Sequence, residues 1–131
     1  MTETTTTEFS FVLKPSEHGI GVFAACDIKK DSYLMLFAEE TIETNVSKVR
    51  KKSDVPKLFQ PYCVDRGEEL ICPRDFGCME MGWYLNHSKT PNAYHKNYDY
   101  YALRDIKEGE EITIDYNDLE EPEEAKEDYY K

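Results

Sequence analysis

The apolar run Trp83-Tyr84-Leu85 ends abruptly in Asn86-His87-Ser88. A run of that kind points into a core. It therefore leaves an amide, an imidazole and a hydroxyl at the core's edge, where each costs free energy unless it finds a hydrogen-bonding partner. Something has to satisfy these groups. On spacing alone a turn is the simpler answer, because Asn86, Ser88, Pro91 and Asn92 are all turn-forming residues.

The rest of the chain reads as many short strands with turn signals every ten residues or so, which is the pattern of a mostly β domain. Strands are expected at Phe9–Leu13, Gly19–Ala25, Tyr33–Phe37, Tyr62–Val64, Leu70–Cys72, Tyr98–Leu103 and Glu111–Tyr116. The pair Gly19-x-Gly21 lacks the third glycine and the following helix of a dinucleotide-binding loop. Its remaining use is close backbone approach, to a ligand or to another part of the chain. Asp27-Ile28-Lys29-Lys30-Asp31 is echoed by Asp105-Ile106-Lys107-Glu108-Gly109. The echo reads as repeated turn chemistry rather than a repeat architecture, with Asp31 and Gly109 suited to a positive φ. Residues 45–60 form an insert carrying Lys48, Arg50, Lys51 and Lys52, read as a solvated helix face, and Pro56 limits any helix there.

Length and charge bound the functions open to it. At 131 residues the chain makes one domain. Acidic residues outnumber basic ones 27 to 16, for a net charge of −11, which argues against nucleic acid as a direct partner and favours basic peptide segments. No apolar run reaches the roughly 20 residues of a membrane span, so no membrane partner is expected, and with no signal-peptide pattern an intracellular, cytoplasmic or nuclear protein is. Cys26, Cys63, Cys72 and Cys78 lack the tight pairing of a zinc site and are expected as reduced, mostly buried thiols. A set built from Cys72, Cys78, His87 and His95 can be written, but its spacing fits no common pattern, and no metal is assigned.

Three separated motifs add a resemblance. They are His18-Gly19-Ile20-Gly21-Val22-Phe23-Ala24, then Asn86-His87-Ser88-x-x-Pro91-Asn92-Ala93, then Gly109-Glu110-Glu111-Ile112-Thr113-Ile114-Asp115-Tyr116. In this order and spacing they resemble the signature of the SET-domain protein lysine methyltransferases, and they bracket residues 18–116. The resemblance implies a SET-domain fold: β-clip-like small curved sheets with a C-terminal pseudoknot, and short helices in the insert. With the Thr- and Glu-rich residues 1–8 read from composition as a disordered tail, the domain is expected over 9–117, followed by an acidic tail over 118–131 in which Tyr129 and Tyr130 are candidates for a lid. No cysteine follows Cys78, so the Cys-rich segment that follows the catalytic tyrosine in many relatives is expected to be absent.

The resemblance also implies an S-adenosylmethionine-dependent transfer of methyl groups to lysine in a basic, histone-like protein substrate. The alternative is a binding module that keeps the fold without turnover, and a homodimer is expected because so small a domain has little surface with which to complete a peptide groove. By motif match, Gly19, Ile20, Gly21, Asn86 and His87 hold the cofactor, His18 only flanks it, and Tyr116 is both catalytic and next to the cofactor. Phe37, Tyr62 and Ile114 line the substrate channel. Phe37 stands where many relatives carry a second tyrosine, and Ile114 stands where a Phe or Tyr affects how many methyls are added. The chemistry suits such a channel. A free lysine, with a pKa of about 10.4, is almost wholly protonated at neutral pH, and an apolar channel beside a cationic donor disfavours the ammonium form. The chain's 10 Tyr, 6 Phe and 1 Trp can supply its walls.

Overall fold

A computed structural model describes residues 5–17, 19–37, 47–96 and 99–116. These residues form ten short strands: β1 (Phe11–Ser16), β2 (Gly19–Ala24), β3 (Tyr33–Leu34), β4 (Ser47–Lys51), β5 (Val64–Asp65), β6 (Glu69–Pro73), β7 (Asn86–His87), β8 (Ala93–Lys96), β9 (Asp99–Ala102) and β10 (Glu111–Ile114). The helices among them are single 3-10 turns at Lys52–Asp54, Gln60–Tyr62 and Met81–Tyr84. None is long and apolar enough to cross a membrane. His18 and the acidic tail with Tyr129 and Tyr130 lie outside the described residues.

Two compact units emerge. The first combines the residues before Phe37 with Tyr84–Asp115, and the second combines Phe37–Trp83 with Tyr116. The first unit carries two small sheets, ordered β1-β2-β10-β7 and β3-β9-β8. Their inward positions, with Ile28, Leu85 and Ile106 from the segments between strands, supply the core of Val22, Ala24, Ile28, Leu34, Leu85, Ala93, Tyr100, Ala102, Ile106, Ile112 and Ile114, each at most 6% exposed. Burying an Ile or Leu of this kind contributes roughly 1.5–3 kcal/mol.

The echoed turns prove to be symmetry-related halves of one structure, and the reading as mere repeated turn chemistry gives way. Ile28 N donates to Ile106 O and Ile106 N to Ile28 O, both at 2.8 Å. Lys30 N donates to Asp105 Oδ1 and Glu108 N to Asp27 Oδ1, again at 2.8 Å, so each turn is capped by the aspartate that opens the other. Asp31 N to Ala102 O (2.8 Å) has its counterpart in Gly109 N to Ala24 O (2.8 Å). Asp31 and Gly109 hold matching left-handed positions at φ 66° and 90°.

The offset that separates Ile28 from Ile106 also carries the pairs Tyr33↔Tyr101 and Leu34↔Tyr100 close onto Glu111↔Phe23 and Ile112↔Val22. Thus β1-β2-β3 and β8-β9-β10 are two copies of a three-strand unit, each with its hairpin intact and its third strand given to the other copy. Neither third strand pairs with the hairpin of its own copy. Sequence could show that the turns are alike but not that they grip each other.

Residues near the N-terminus expected to be disordered are also bound in. Thr5 bridges to Tyr33, Thr6 N donates to Tyr33 O at 3.0 Å, and Met35 N donates to Thr6 Oγ1 at 2.7 Å. The strand expected over Tyr33–Phe37 stops at Leu34, because Leu36 N turns back onto Leu34 O.

The second unit is built on the sheet β4-β6-β5 over a cluster of Val55, Leu70 and Cys72 with Phe59, Cys63 and Phe76. The basic run is not a helix face: Lys48, Arg50 and Lys51 lie on the edge strand β4, and Lys52 opens the 3-10 turn that follows it. On it Arg50 lies 5.1 Å from the Phe76 ring centroid and donates to the carbonyls of Pro73 and Arg74, each at 2.8 Å. Lys52 pairs with Asp65 at 2.6 Å. Tyr62, expected in a strand, closes the 3-10 turn instead.

If the two halves are equivalent, Asp27→Ala and Asp105→Ala each lower the unfolding free energy by about 1 kcal/mol. Urea denaturation checks this, and a loss confined to one of the two variants contradicts the two-fold relationship.

Candidate functional site

The third motif provides the strand on which the other two converge. β10 runs antiparallel to β2, with Glu111↔Phe23 and Ile112↔Val22, and parallel to β7, with Thr113↔Asn86 and Ile114↔His87. A parallel pair as short as β7 and β10 needs help, because the strands are joined only through a long excursion of chain. Ser88 N extends the pairing to Ile114 O at 2.9 Å. Asn92 adds a two-pronged clamp: its Nδ2 donates to Glu111 O at 2.7 Å and its Oδ1 accepts from Thr113 N at 2.8 Å. The side chain that reads in sequence as turn material is 3% exposed and is spent on β10.

At this junction Asn86 reaches over the first motif. Its Nδ2 lies 3.1 Å from Ser16 Oγ, 3.2 Å from Ile20 O and 2.8 Å from Glu111 Oε2, three acceptors around one amide group. Directly beneath is Gly21. A Cβ there would collide with Glu111 Oε2 and press on Asn86 Nδ2 and the Glu111 carboxyl carbon, both at 3.0 Å. Close approach is therefore the reason for the second glycine, as the sequence suggests, whereas Gly19 is needed for its φ of 105°.

His87 is turned inward, its side chain 3% exposed, with Nδ1 3.6 Å from Asp115 Oδ1. Ile114, opposite His87 in the register, is buried. Gly19, Ile20, Gly21, Asn86, His87 and Ile114 are thus gathered into one unit, around side chains that sequence reasoning missed: Ser16, Glu111 and Asn92. The doubled Glu110-Glu111 was the available signal. Its two members do different work. Glu110 caps the turn, where the Arg104 guanidinium (2.9 Å) and the Lys107 N–H hold its carboxyl below the usual range. Glu111 faces Asn86.

The remaining candidates, Phe37, Tyr62 and Tyr116, fall in the second unit. Phe37 stands edge-on to Trp83, with ring centroids 5.4 Å apart and planes at 89°. Edge-to-face packing of this kind adds about 0.5–1.5 kcal/mol beyond area burial. Its ring occupies the space in which a Cβ on Gly82 would lie, so Gly82 is where it is because Phe37 fills that side. Trp83 Nε1 is buried with no hydrogen-bond partner among the described residues. Gly82 and Trp83 were missed in sequence, where a glycine opening an aromatic run was the one sign of close packing. Tyr116, half-buried, follows Asp115 directly. Among the described residues no group of three or more His, Cys, Asp or Glu is placed to hold a metal ion.

A family model described as the SET domain matches residues 19–117. The chain belongs to the SET-domain family. Histone-lysine N-methyltransferase trr of Drosophila melanogaster is 28% identical over 120 residues, a match that covers 85% of this chain and 5% of that relative. The SET-domain chain therefore spans only a small part of the curated relative it matches.

Among solved structures, the methyltransferase domain of human PR domain-containing protein 2 superposes with a TM-score of 0.54 at 21% identity, over 94% of this chain and 95% of that one. ctPRC2, in an autoinhibited conformation bound to S-adenosylmethionine, gives 0.54 at 21% identity over 86% of this chain and 16% of that one. At these identities the likeness carries the fold, which is mostly strands in small sheets, as the sequence led one to expect.

Asn92→Asp removes the donor to Glu111 O and sets a carboxylate against that carbonyl, so it should destabilise the chain at least as much as Asn92→Ala, by about 2–3 kcal/mol. Chemical denaturation of the two variants at neutral pH measures the order.

Proposed function

We propose that this SET domain is an S-adenosylmethionine-dependent protein-lysine N-methyltransferase acting on a basic, histone-like protein. One observation supports the reading above the others: all three motifs meet at Gly21, Asn86 and Glu111, with a carboxylate at hand. The donor set suits a cationic amino-acid cofactor. The Glu111 carboxylate favours positive charge nearby, the Asn86 side-chain oxygen is an acceptor for an ammonium group, and the bare Cα of Gly21 lets both side chains close onto the first motif. Gly19, Ile20, Gly21, Asn86, His87 and Tyr116 are the proposed binding residues. S-adenosylmethionine supplies, when bound, a methyl group made electrophilic by its sulfonium.

The protein's own work is then positioning and dehydration. The Tyr116 hydroxyl orients the lysine amine. A phenol with a pKa near 10 is a poor base at neutral pH, so alignment of the nucleophile is its contribution. Phe37, backed by Trp83, offers an apolar ring wall, with Tyr62 as a second aromatic element. Water-poor aromatic surroundings disfavour the ammonium form and leave a larger fraction of amine able to attack. Ile114 cannot hydrogen-bond a water that would restrict a methylated amine, so more than one methyl can be added. The acidic surface, net −11, suits a lysine-rich substrate.

A labelled-methyl assay on histones and on whole-cell protein tests the activity. Tyr116→Phe is expected to lower kcat about 100-fold with little change in cofactor affinity. Unchanged transfer in that variant removes the role given to Tyr116, and no transfer by the wild-type chain to any protein favours a non-catalytic binding module. Product peptides followed by mass spectrometry should pass from mono- to di- or trimethyl-lysine. A product that stops at one methyl contradicts the reading of Ile114.

A further inference from the structure

Two of the four cysteines occupy one spot in the second unit. The register of β5 on β6, Val64↔Ile71 and Asp65↔Leu70, continued by one residue, sets Cys63 opposite Cys72. The kind of position follows from the hairpin. Arg66 N donates to Glu69 O at 2.9 Å, which marks 66 and 69 as a hydrogen-bonded pair. Pair types alternate along an antiparallel ladder, so 65 with 70 is non-hydrogen-bonded, 64 with 71 is hydrogen-bonded, and 63 with 72 is non-hydrogen-bonded again. Opposed residues of that last kind have Cα atoms about 4.5 Å apart and side chains close together. A disulfide spans Cα separations of about 4.4–6.8 Å.

Both thiols face the cluster of Val55, Phe59, Leu70 and Phe76. Cys72 is fully buried, while Cys63 is partly open to solvent. Both are free, each resting on a main-chain carbonyl: Cys63 Sγ on Phe59 O at 3.5 Å and Cys72 Sγ on Leu70 O at 3.6 Å.

We propose that Cys63 and Cys72 are an oxidative modification site, at which a hydroperoxide converts the facing thiols into a cross-strand disulfide that ties β6 to the residue preceding β5. Cys63, the accessible member, reacts first as its thiolate. A sulfur–oxygen bond forms, the peroxide O–O bond breaks, and the departing oxygen takes up the thiol proton as water, leaving a sulfenic acid. The Cys72 sulfur then attacks Cys63. The S–S bond forms, the S–O bond breaks, and hydroxide leaves with the Cys72 proton as a second water. Two thiols lose two electrons and two protons, and one hydrogen peroxide becomes two waters.

Burial, reinforced by the neighbouring Cys72, pushes the Cys63 thiol well above the ordinary cysteine range. Since the thiolate is the reactive form, oxidation is slow at neutral pH and quickens as pH rises. The site is thus one that sustained peroxide, rather than a brief pulse, modifies.

The test uses the full chain carrying Cys26→Ser and Cys78→Ser, which removes the two exposed thiols. After hydrogen peroxide, remaining thiols are alkylated and the digest is read by mass spectrometry. The expected result is a linked peptide pair joining Cys63 to Cys72, lighter by two hydrogens and released by dithiothreitol, with faster formation at alkaline pH. A higher unfolding midpoint before reduction than after it is expected as well. Two results overturn the proposal: no linked peptide at alkaline pH while the chain stays folded by circular dichroism, or Cys63 advancing to sulfinic acid while Cys72 remains alkylatable. Neither readout depends on methyl transfer, so the outcome stands apart from the proposed activity.

Discussion

The strand Glu111–Ile114 is hydrogen-bonded on both of its edges, antiparallel to β2 and parallel to β7. Most of the first unit follows from that. Ile112 and Ile114 point into the core, and Glu111 and Thr113 give their backbone groups to Asn92. A central strand with short neighbours has few ladder bonds to spare, so side-chain clamps carry part of the load that longer strands carry by themselves. That is why a buried asparagine stands at 92, and why its two bonds fall on the third motif and not on the turn that contains it.

β10 is delivered to this place by the reciprocal turns. Each turn is capped by the other's aspartate, and each isoleucine bridges to its mate. The exchange of third strands between the two halves means that neither half can complete its sheet alone. Cooperativity is the consequence, since loss of either turn frees a strand from the opposite hairpin as well as from its own core.

The candidate site is a by-product of the same geometry. Where the first motif crosses the shared strand, a glycine permits the Asn86 amide and the Glu111 carboxylate to descend onto the backbone. Of the polar groups left at the core's edge by the run Trp83-Tyr84-Leu85, Asn86 is satisfied from across the fold by Ser16, Ile20 and Glu111, the His87 ring lies beside Asp115, and Ser88 Oγ is held locally by Thr90. The second unit follows a different logic. A small sheet covers one face with Phe59, Phe76 and two thiols, and its basic edge strand turns Arg50 onto an aromatic ring and two carbonyls rather than outward along a helix.

Local chemistry was written in the sequence: the mostly β character, the positive φ at Asp31 and Gly109, the failure of Gly19-x-Gly21 as a dinucleotide loop, and the close approach at Gly21. Each depends on a residue and its immediate neighbours. The family could also be read there, because its three motifs survive as words in order. What only the tertiary structure decided is which distant groups those words address. The clamp of Asn92 on β10, the seat of Glu111 beneath Asn86 and the mutual capping of two like turns are all non-local pairings. Hydrophobic periodicity and turn propensity report one segment at a time, whereas a hydrogen bond across 20 or more residues is fixed only once register and topology are chosen.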